Sequence, residues 1–567
     1  MKHQHLSHRN RIAALAAIFL ALPAFGGQLS KDLAKVASGT SVDVIVQFKA
    51  APTAAMLDKV KVKGGALKKQ HANVPSALYN LTGASVADLA ANTDVLYASP
   101  DREIKGSLDY ANPAMNAPSA FSSGWVGTNI GIAVIDSGVN GSHPDLAGRV
   151  VVNENFVPFT TSTADTFGHG THVALIAAGN ASASSGNSAT RSFRGIAPGA
   201  KIVNLKVLNG YGIGTDSQLI AAIDRAITLK NTYNIKVINL SLGRFVYESY
   251  TLDPLCQAVE AAYKAGIVVV AAAGNGGRDN WSGNKGYGTI ASPGNDPYVI
   301  TVGALRDLKT NTRADDAIAS YSSKGPTAID HIVKPDVVAP GNLIVSANVA
   351  GSTLRTLYAG NEVLKSYYLT SGGSQTSPDY FTLSGTSMAT PMVSGAVALM
   401  LQKTSTLKPD QIKARLMRTA TKTFPWQSTA TDPVTGVTYV SQSDIFTVGA
   451  GYVDIAAALN DTNSSKRVAL SPKAVLNTTT NTVKLTSSWL SGTNVIWGEN
   501  VIWGENVIWG DNVIWGDSTS GFTMVEGTNV IWGEGGTGGF NVIWGDNVIW
   551  GESTNLFDTA LASRGDR

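Results

Sequence analysis

Three short segments carry residue types that could together perform acyl transfer through an activated serine. Ser387 offers a hydroxyl nucleophile, His169 a base and Asp136 a carboxylate, each among glycines and other small residues. A serine needs a base to accept its proton and a carboxylate to orient that base. The chemistry predicted from these types is hydrolysis of an acyl bond. The segments are 134–138, 168–173 and 385–391.

Each candidate also has a structural interpretation when taken alone. The Gly-Thr-Ser sequence before Met388 could simply cap a helix, and Asp136 could belong to a turn after a strand. His169 and His172 have a spacing that could bind a metal, but zinc needs three or four donors and none lies beside them. The coincidence of all three segments, in the order Asp, His, Ser, favours the catalytic interpretation. It does not exclude the helix-cap interpretation of the Gly-Thr-Ser segment, because the start of a helix can be capped there and also carry the nucleophile.

The elements that must position these residues alternate along 120–458. Four apolar, β-branched runs are typical of buried parallel strands, and the runs between them have helical spacing. This alternation predicts an α/β fold with a doubly wound, mainly parallel sheet, whose sites follow the carboxyl ends of strands. The predicted strands cover 132–135, 202–207, 237–240 and 267–271, and the helices 217–230 and 254–265.

These motifs resemble those of the subtilisin-like serine proteases, the subtilase family or peptidase S8. The resemblance extends to 241–243, 271–275 and 339–341. It implies a serine endopeptidase whose acyl-enzyme forms on Ser387, with Asp136 and His169 as catalytic residues and Asn275 in the oxyanion hole. No cofactor is needed for that chemistry, and protein or peptide substrates are implied. The substrate-binding residues implied are Ser241, Leu242, Gly243, Ala272, Gly274 and Ala291.

Substrate preference follows from the composition of these implied substrate-binding segments. They contain no acidic residue, so we expect broad specificity with large apolar or aromatic residues before the cut, and no strict Lys/Arg preference. Arg244 departs from the small residue often found there in the family, which leaves the neighbouring subsites open.

The predicted domains begin with a signal peptide at 1–26, because Lys2, Arg9 and Arg11 precede an apolar run that ends in small residues. Residues 27–110 are predicted to form a small α+β unit with strands at 42–48 and 95–98 and a helix-like stretch at 57–71. By resemblance, this unit is a propeptide that acts as chaperone and inhibitor and is cut between Arg102 and Ala111. The catalytic domain covers 111–458, a linker or weak β segment 459–490, the repeats 491–552 and a tail 553–567.

Bulk composition excludes several other classes of function. The net charge is only +3 and no long basic run is present, so nucleic acid is not an expected partner. After the signal peptide no apolar run is long enough for a membrane anchor, so we expect a secreted protein. Cys256, alone, excludes an intrachain disulfide and is expected to be a small buried residue. We name no metal ligands: structural calcium is possible by resemblance, but the acids of the predicted loops are expected to be solvated. These acids are Asp145, Asp216, Asp315 and Asp316.

The sequence Asn-Val-Ile-Trp-Gly recurs near the end of the chain, each copy followed by Asp or Glu. The spacing and the alternation of strand-favouring and turn residues predict a β-rich segment, with a disordered one as the alternative. Surface or carbohydrate binding, self-association and a mere spacer all remain open. An adhesion protein on a subtilase scaffold is the rival interpretation of the whole chain, with possible contact to the cell surface or to polymers. The presence of Asp136, His169, Asn275 and Ser387 favours the enzyme. The copies begin at 494, 500, 506, 512, 529, 541 and 547.

Overall fold

A computed structural model provides the structure of this protein. It describes residues 27–30, 33–72, 74–101, 103–106, 113–279, 285–308, 310, 313–432, 436–462, 468–477, 482–486 and 566. The predicted signal peptide and the repeats at 491–552 lie outside the described residues. Among the helices that are described, none combines the length and the apolar character needed to cross a bilayer.

The N-terminal region folds as a five-stranded sheet with two helices against it. The strand order is β1-β5-β2-β4-β3, and the inner strands are antiparallel to one another. The prediction of a helix-like stretch over 57–71 is wrong in its second half. The helix ends at Val62 because Gly64 adopts a φ of +89°, and the following lysine-rich residues pair with β4 instead. The elements are β1 (Gln28–Leu29), β2 (Ser41–Phe48), α1 (Ala54–Val62), β3 (Ala66–Gln70), β4 (Ser76–Thr82), α2 (Gly83–Ala90), β5 (Val95–Pro100) and β6 (Glu103–Gly106).

The remaining described residues contain the predicted alternation of strands and helices. Predicted and observed bounds agree to within about three residues, which is normal for sequence patterns. The elements are α3 (Ala117–Ser122), β7 (Gly131–Asp136), β8 (Val150–Asn155), α4 (His169–Ala178), β9 (Lys201–Lys206), β10 (Ile213–Thr215), α5 (Asp216–Tyr233), β11 (Ile235–Leu240), β12 (Leu242–Gly243), α6 (Pro254–Lys264), β13 (Val268–Ala272), β14 (Ile300–Arg306), β15 (Ala317–Ile318), β16 (Val337–Pro340), β17 (Ile344–Ala347), α7 (Thr353–Leu357), β18 (Glu362–Leu364), β19 (Thr376–Leu383), α8 (Thr386–Lys403), α9 (Pro409–Thr419), β20 (Gln427–Thr431), β21 (Thr438–Gln442), α10 (Ile445–Val448), α11 (Ile455–Asn460), β22 (Lys473–Asn477) and β23 (Thr482–Thr486).

The central sheet has the order β15-β14-β13-β11-β7-β9-β8, with β16 also paired to β14. Every pairing within it is parallel except that of β14 with β15. The predicted α/β fold with a mainly parallel sheet is therefore confirmed. Because β13, β11 and β7 are neighbours, their carboxyl ends meet at one edge of the sheet, and this edge carries the candidate site.

Successive residues of β7 pack into two different helical layers. Ile132 and Val134 join the core formed with α4 and α8, whereas Ala133 and Ile135 join the core formed with α5 and α6. This period of two is what a parallel strand covered on both faces requires. Helix α8 is buried from Thr386 through Leu401, so its first turn is enclosed by the packed core.

The segment predicted as a linker or weak β segment contains an antiparallel hairpin of β22 and β23. It is attached to the central domain, because Lys473 forms a β-bridge with Ile332 and Ser471 is buried. The Ser471 hydroxyl donates to Asp336 at 2.5 Å and accepts from Lys413 at 2.8 Å. The chain leading toward the repeats is thus attached to the central domain up to this point.

Candidate active site

Asp136 and His169 form a buried pair at the edge where the parallel strands end. Asp136 is the last residue of β7 and His169 the first of α4. The Oδ1 of Asp136 lies 2.6 Å from Nδ1 of His169, and both side chains are fully buried. A carboxylate on Nδ1 fixes that nitrogen as the protonated one and leaves Nε2 to act as the base.

The close approach of these two turns requires the glycine that follows His169. A Cβ at Gly170 would lie 2.2 Å from the carbonyl oxygen of Gly138 and 3.0 Å from the Cβ of Asp136. Any larger residue would push α4 away from β7. The glycine-rich context recognised in the sequence therefore has a steric origin at this position.

No sequence pattern singled out Asp165, although its side chain joins the turn after Asp136 to the start of α4. Its Oδ1 accepts from the Ser137 hydroxyl at 2.8 Å and from the Gly168 N–H at 2.7 Å. Its Oδ2 accepts from the N–H and the hydroxyl of Thr171, at 2.8 and 2.6 Å. The only local signal is its position four residues before His169. Its side chain ties the Asp136 turn to the first turn of α4.

Lys206 is a second residue that the sequence did not single out. It lies at the end of β9 and is buried, and its ammonium group donates to the carbonyl oxygens of Ser137 and Ala164, at 2.9 Å in the latter case. Burial lowers the pKa of Lys206, while the negative charges of Asp165 and Asp136 act to raise it. A cation beside two buried carboxylates offsets part of their desolvation.

Ser387 is placed in the first turn of α8, next to the end of β11. Its Oγ donates to the carbonyl oxygen of Ser241 at 3.0 Å, and the hydroxyl of Ser241 donates back to the carbonyl oxygen of Ser387 at 2.6 Å. Both residues are buried. The N-terminus of a long buried helix places a partial positive charge at this point, which favours negative charge on a nearby oxygen.

Asn275 follows β13 and is oriented by Thr386. Its Oδ1 accepts from the N–H of Thr386 at 2.9 Å and from the Thr386 hydroxyl at 3.1 Å. That hydroxyl in turn accepts from the N–H of Gly274 at 3.1 Å, and Gly274 has a φ of +105° that favours glycine. With Oδ1 held in this way, the amide group presents its Nδ2 as a donor. Thr386 therefore orients the amide of Asn275.

Strand β6 lies between β10 and β12 of the central domain, in a separate three-stranded sheet. Lys105 is opposite Ile213 of β10 on one side and Gly243 of β12 on the other, with both pairings antiparallel. The implied substrate-binding residues Leu242 and Gly243 therefore flank an extended chain. The opposite flank, β10, was not predicted.

The other implied substrate-binding residues lie at the end of β13. Ala291 is fully buried, its N–H donates to the carbonyl oxygen of Ala273, and Phe245 packs against it. A Cβ added to Gly274 would be 3.3 Å from the Cβ of Ala291, so these residues are neighbours. Ala272 is also buried but belongs to β13, whose partners are β11 and β14 rather than β6.

Arg244, whose effect on the subsites was left open, is buried in a cluster of three acids. It donates to Asp216 at 2.9 Å and to Asp253 at 2.8 Å, and Glu248 lies 3.9 Å away. These carboxylates raise the pKa of Arg244 well above its ordinary value, against the opposing effect of burial. The positive charge of Arg244 is therefore paired with carboxylates of the protein itself.

The expectation of solvated loop acids is wrong for three of the four residues. Asp216 pairs with Arg244, and Asp145 accepts from the Tyr380 hydroxyl and the Ala183 N–H at 2.6 and 2.7 Å. Asp316 is also buried, and burial raises its pKa to about 6. Within the described ranges, no group of three or more His, Cys, Asp or Glu side chains could hold a metal ion.

The two remaining candidates are buried. His172 lies one turn behind His169, and burial lowers its pKa well below the usual value. Cys256 is fully buried, and burial raises the pKa of its thiol well above the usual value, which disfavours the reactive thiolate.

This chain is similar in sequence to known proteins. The sequence pattern of the subtilase family matches residues 127–442. The serine protease AprX of Bacillus subtilis is 39% identical over 349 residues, covering 60% of this chain and 71% of that protein. Subtilisin E of Bacillus subtilis is 35% identical over 393 residues, covering 68% of this chain and 86% of that protein.

A solved structure has a similar fold. Fervidolysin from Fervidobacterium pennivorans, described as a keratinolytic enzyme related to subtilisin, superposes with a TM-score of 0.56 at 23% identity. The match covers 78% of this chain and 64% of fervidolysin. At this identity the likeness concerns the fold alone.

Proposed function

Because this chain belongs to the subtilase family of serine endopeptidases, we propose that it cuts peptide bonds through an acyl-enzyme formed on Ser387. The buried hydrogen bond of 2.6 Å between His169 and Asp136 is the observation that carries this proposal. It supplies an oriented base at the sheet edge where α8 presents Ser387. The rival adhesion function rests on the repeats, which lie outside the described residues.

The reaction begins when the Ser387 hydroxyl turns from the Ser241 carbonyl toward His169. The serine oxygen then bonds to the substrate carbonyl carbon while its proton passes to Nε2 of the imidazole. Asp136 stabilises the imidazolium that forms. The imidazolium then gives this proton to the leaving amine as the C–N bond breaks. A water molecule next attacks the acyl-enzyme while His169 takes its proton, and that proton passes to the Ser387 oxygen as the acyl group leaves as a carboxylic acid.

The negative charge that develops on the substrate oxygen is stabilised by hydrogen bonds that the Asn275 amide and the N–H of Ser387 donate to it. The amide is held by Thr386, so no reorganisation is needed when the charge appears. In subtilisin itself, loss of the corresponding side-chain donor lowers kcat about 10²–10³-fold. We expect a loss on that scale for Asn275→Ala here.

Residues 27–110 act as an inhibitory propeptide in this proposal. Strand β6 occupies the position of an extended substrate, since a central antiparallel strand is how such clefts bind peptides. Gly106 lies opposite Leu242, the neighbour in sequence of Ser241, whose carbonyl oxygen accepts from the Ser387 hydroxyl. We therefore place self-cleavage within 107–111, in the predicted window. Residues 107–112 lie outside the described residues, and N-terminal sequencing of the mature enzyme tests this.

The proposed substrates are proteins and peptides with apolar or aromatic residues before the cut. Phe245 packs on the buried Ala291 near the end of β13, which makes this region apolar, and the nearby acids are paired with Arg244. A peptide series differing only at that position should give a kcat/KM at least about tenfold higher for Phe or Leu than for Lys or Glu. A preference for Lys would contradict the proposed pocket.

We also propose that the enzyme is exported, since residues 1–26 have the charge and apolar pattern of a signal peptide. Expression of the chain with and without residues 2–26 tests this. Activity should accumulate in the medium only when these residues are present.

The catalytic role of Ser387 is tested by peptide hydrolysis with matched serine variants. Ser387→Ala should abolish turnover. Ser394→Ala removes another buried hydroxyl of the same helix, one that donates to Asn239 at 2.8 Å, and should remain active. Equal loss in both variants would assign the effect to helix α8 rather than to the nucleophile.

A further inference from the structure

Asp566, which lies beyond the repeats, is buried against the catalytic region. Its side chain is fully buried in an ion pair with Arg278, at 2.7 Å between Nη2 and Oδ1. Nothing in the proposed reaction uses this residue. A buried carboxylate is stable only where an opposite charge and hydrogen-bond donors surround it, and here they come from a distant part of the chain.

The carboxylate of Asp566 accepts three hydrogen bonds. Besides Arg278, the hydroxyl of Ser320 donates to Oδ1 at 2.6 Å and the N–H of Ser320 donates to Oδ2 at 2.7 Å. Both oxygens are therefore satisfied, as a desolvated carboxylate requires. Charge-assisted bonds of this length are the strong class of hydrogen bond.

The main chain of Asp566 is recognised separately by Asn342. The Oδ1 of Asn342 accepts from the N–H of Asp566 at 2.7 Å, and its Nδ2 donates to the carbonyl oxygen of Asp566 at 2.9 Å. A free carboxylate could not make this pair of contacts. The site is therefore specific for an aspartate within a polypeptide, and we call Arg278, Ser320 and Asn342 the Asp566 receptor.

The Asp566 receptor is also held together by bonds of its own. Arg278 donates to the Ser320 hydroxyl at 2.8 Å and to Asp432 at 2.9 Å. The Tyr321 hydroxyl donates to the carbonyl oxygen of Gly341, at 2.6 Å, beside Asn342. The bonds of Arg278 to Ser320 and Asp432 orient the guanidinium before the aspartate arrives, so the guanidinium needs little further ordering on docking.

The receptor also adjoins the segments that form the active site. Arg278 lies three residues after Asn275, on a loop whose Gly277 N–H donates to the carbonyl oxygen of Tyr321 at 2.8 Å. The carbonyl oxygen of Gly341 accepts from the N–H of Gly385, two residues before Ser387, also at 2.8 Å. The docked aspartate is therefore bonded to segments that also contact the loop after Asn275 and the turn before Ser387.

We propose that Asp566 anchors the chain beyond the repeats, so that the chain is attached to the central domain on both sides of the repeats. The attachment before the repeats is the hairpin of β22 and β23, and the attachment after them is the Asp566 receptor. Because the two partners belong to one chain, their effective concentration is on the order of 1 mM or somewhat below, and a modest intrinsic affinity keeps the receptor occupied.

Hydrogen–deuterium exchange of the full chain tests the anchor. All variants carry Ser387→Ala to prevent self-digestion. Asp566→Ala should increase the exchange rate of the amides at Ser320 and at position 566 about tenfold or more, since both are bonded only through docking. Arg278→Gln should reproduce the change, and Asp566→Asn should give a smaller one because the contacts to Asn342 persist.

The matched control is Asp558→Ala, which removes an acid from the same tail. It should exchange like the parent at both positions. Identical exchange of Ser320 in the parent and in Asp566→Ala would overturn the proposal, as would an equal effect of Asp558→Ala. Melting curves of each variant establish that the comparison is made between folded proteins.

Discussion

Replacing Asp165 with asparagine should disable catalysis without removing any group that reacts. Asp165 accepts four hydrogen bonds that join the Asp136 turn to the start of α4, and it is almost fully buried. Asparagine has the same shape but has only one acceptor oxygen. Its NH₂ group must therefore face either the donors of Thr171 or those of Ser137 and Gly168.

The magnitude follows from the number of donors left unpaired. One buried N–H and one hydroxyl lose their acceptor, and an unsatisfied buried donor costs about 1–3 kcal/mol. We expect Asp165→Asn to destabilise the protein by roughly 2–4 kcal/mol. The NH₂ group of the asparagine then faces other donors, and their repulsion pushes the two turns apart. A displacement approaching 1 Å at a catalytic group can lower the rate about 10²-fold. We therefore expect kcat to fall roughly 10–100-fold with little change in KM.

The assay is steady-state hydrolysis of a peptide substrate, together with thermal unfolding of each variant. Asp330→Asn is the matched control, because Asp330 also accepts from a hydroxyl and an N–H, those of Ser249 and Tyr250 at 2.6 and 2.8 Å. The control should lose stability but keep its kcat. A folded Asp165→Asn enzyme with kcat within about twofold of the parent would refute the positioning role.

Three further predictions concern the oxyanion loop and the propeptide. Thr386→Val should lower kcat about tenfold in peptide hydrolysis with KM unchanged, because the amide of Asn275 loses one donor at 3.1 Å. His71 is buried, and burial, with the nearby charge of Lys69, lowers its pKa to about 4 from 6.5. Folding therefore favours the neutral form of His71. The free energy of unfolding of the precursor should fall by up to roughly 3 kcal/mol as pH falls from 6.5 through 4. Melting curves across this pH range measure the loss, and His71→Gln should abolish it. Ser387→Ala should leave the precursor uncut by intact-mass measurement, and a mature N-terminus in that variant, made without other proteases, would exclude self-processing.

The sheet and the placement of the candidate residues could be predicted because they depend on local patterns. Continuous β-branched runs identify buried parallel strands. Asp136 directly follows one of these runs, and Asn275 lies four residues after the end of another. Since such strands end at one edge, their neighbours in space follow from the fold class. The same logic predicted that Ser387 begins a helix.

The rest depends on contacts between distant parts of the chain. Arg244 was left open because its partner Asp216 is a long-range neighbour that no local pattern identifies. The lysine-rich stretch after Gly64 reads as a helix by local propensity, but pairing with β4 overrides it. Asp165 resembles any loop acid until the fold brings Ser137 and Thr171 onto its two oxygens.

The central claim, that Ser387 is a nucleophile activated by His169, is tested most directly by a fluorophosphonate probe on the mature enzyme. Peptide mapping should place one covalent adduct on Ser387, and His169→Ala should slow its formation by at least about 10³-fold. Labelling that persists in Ser387→Ala, or an adduct on another residue, would contradict the account.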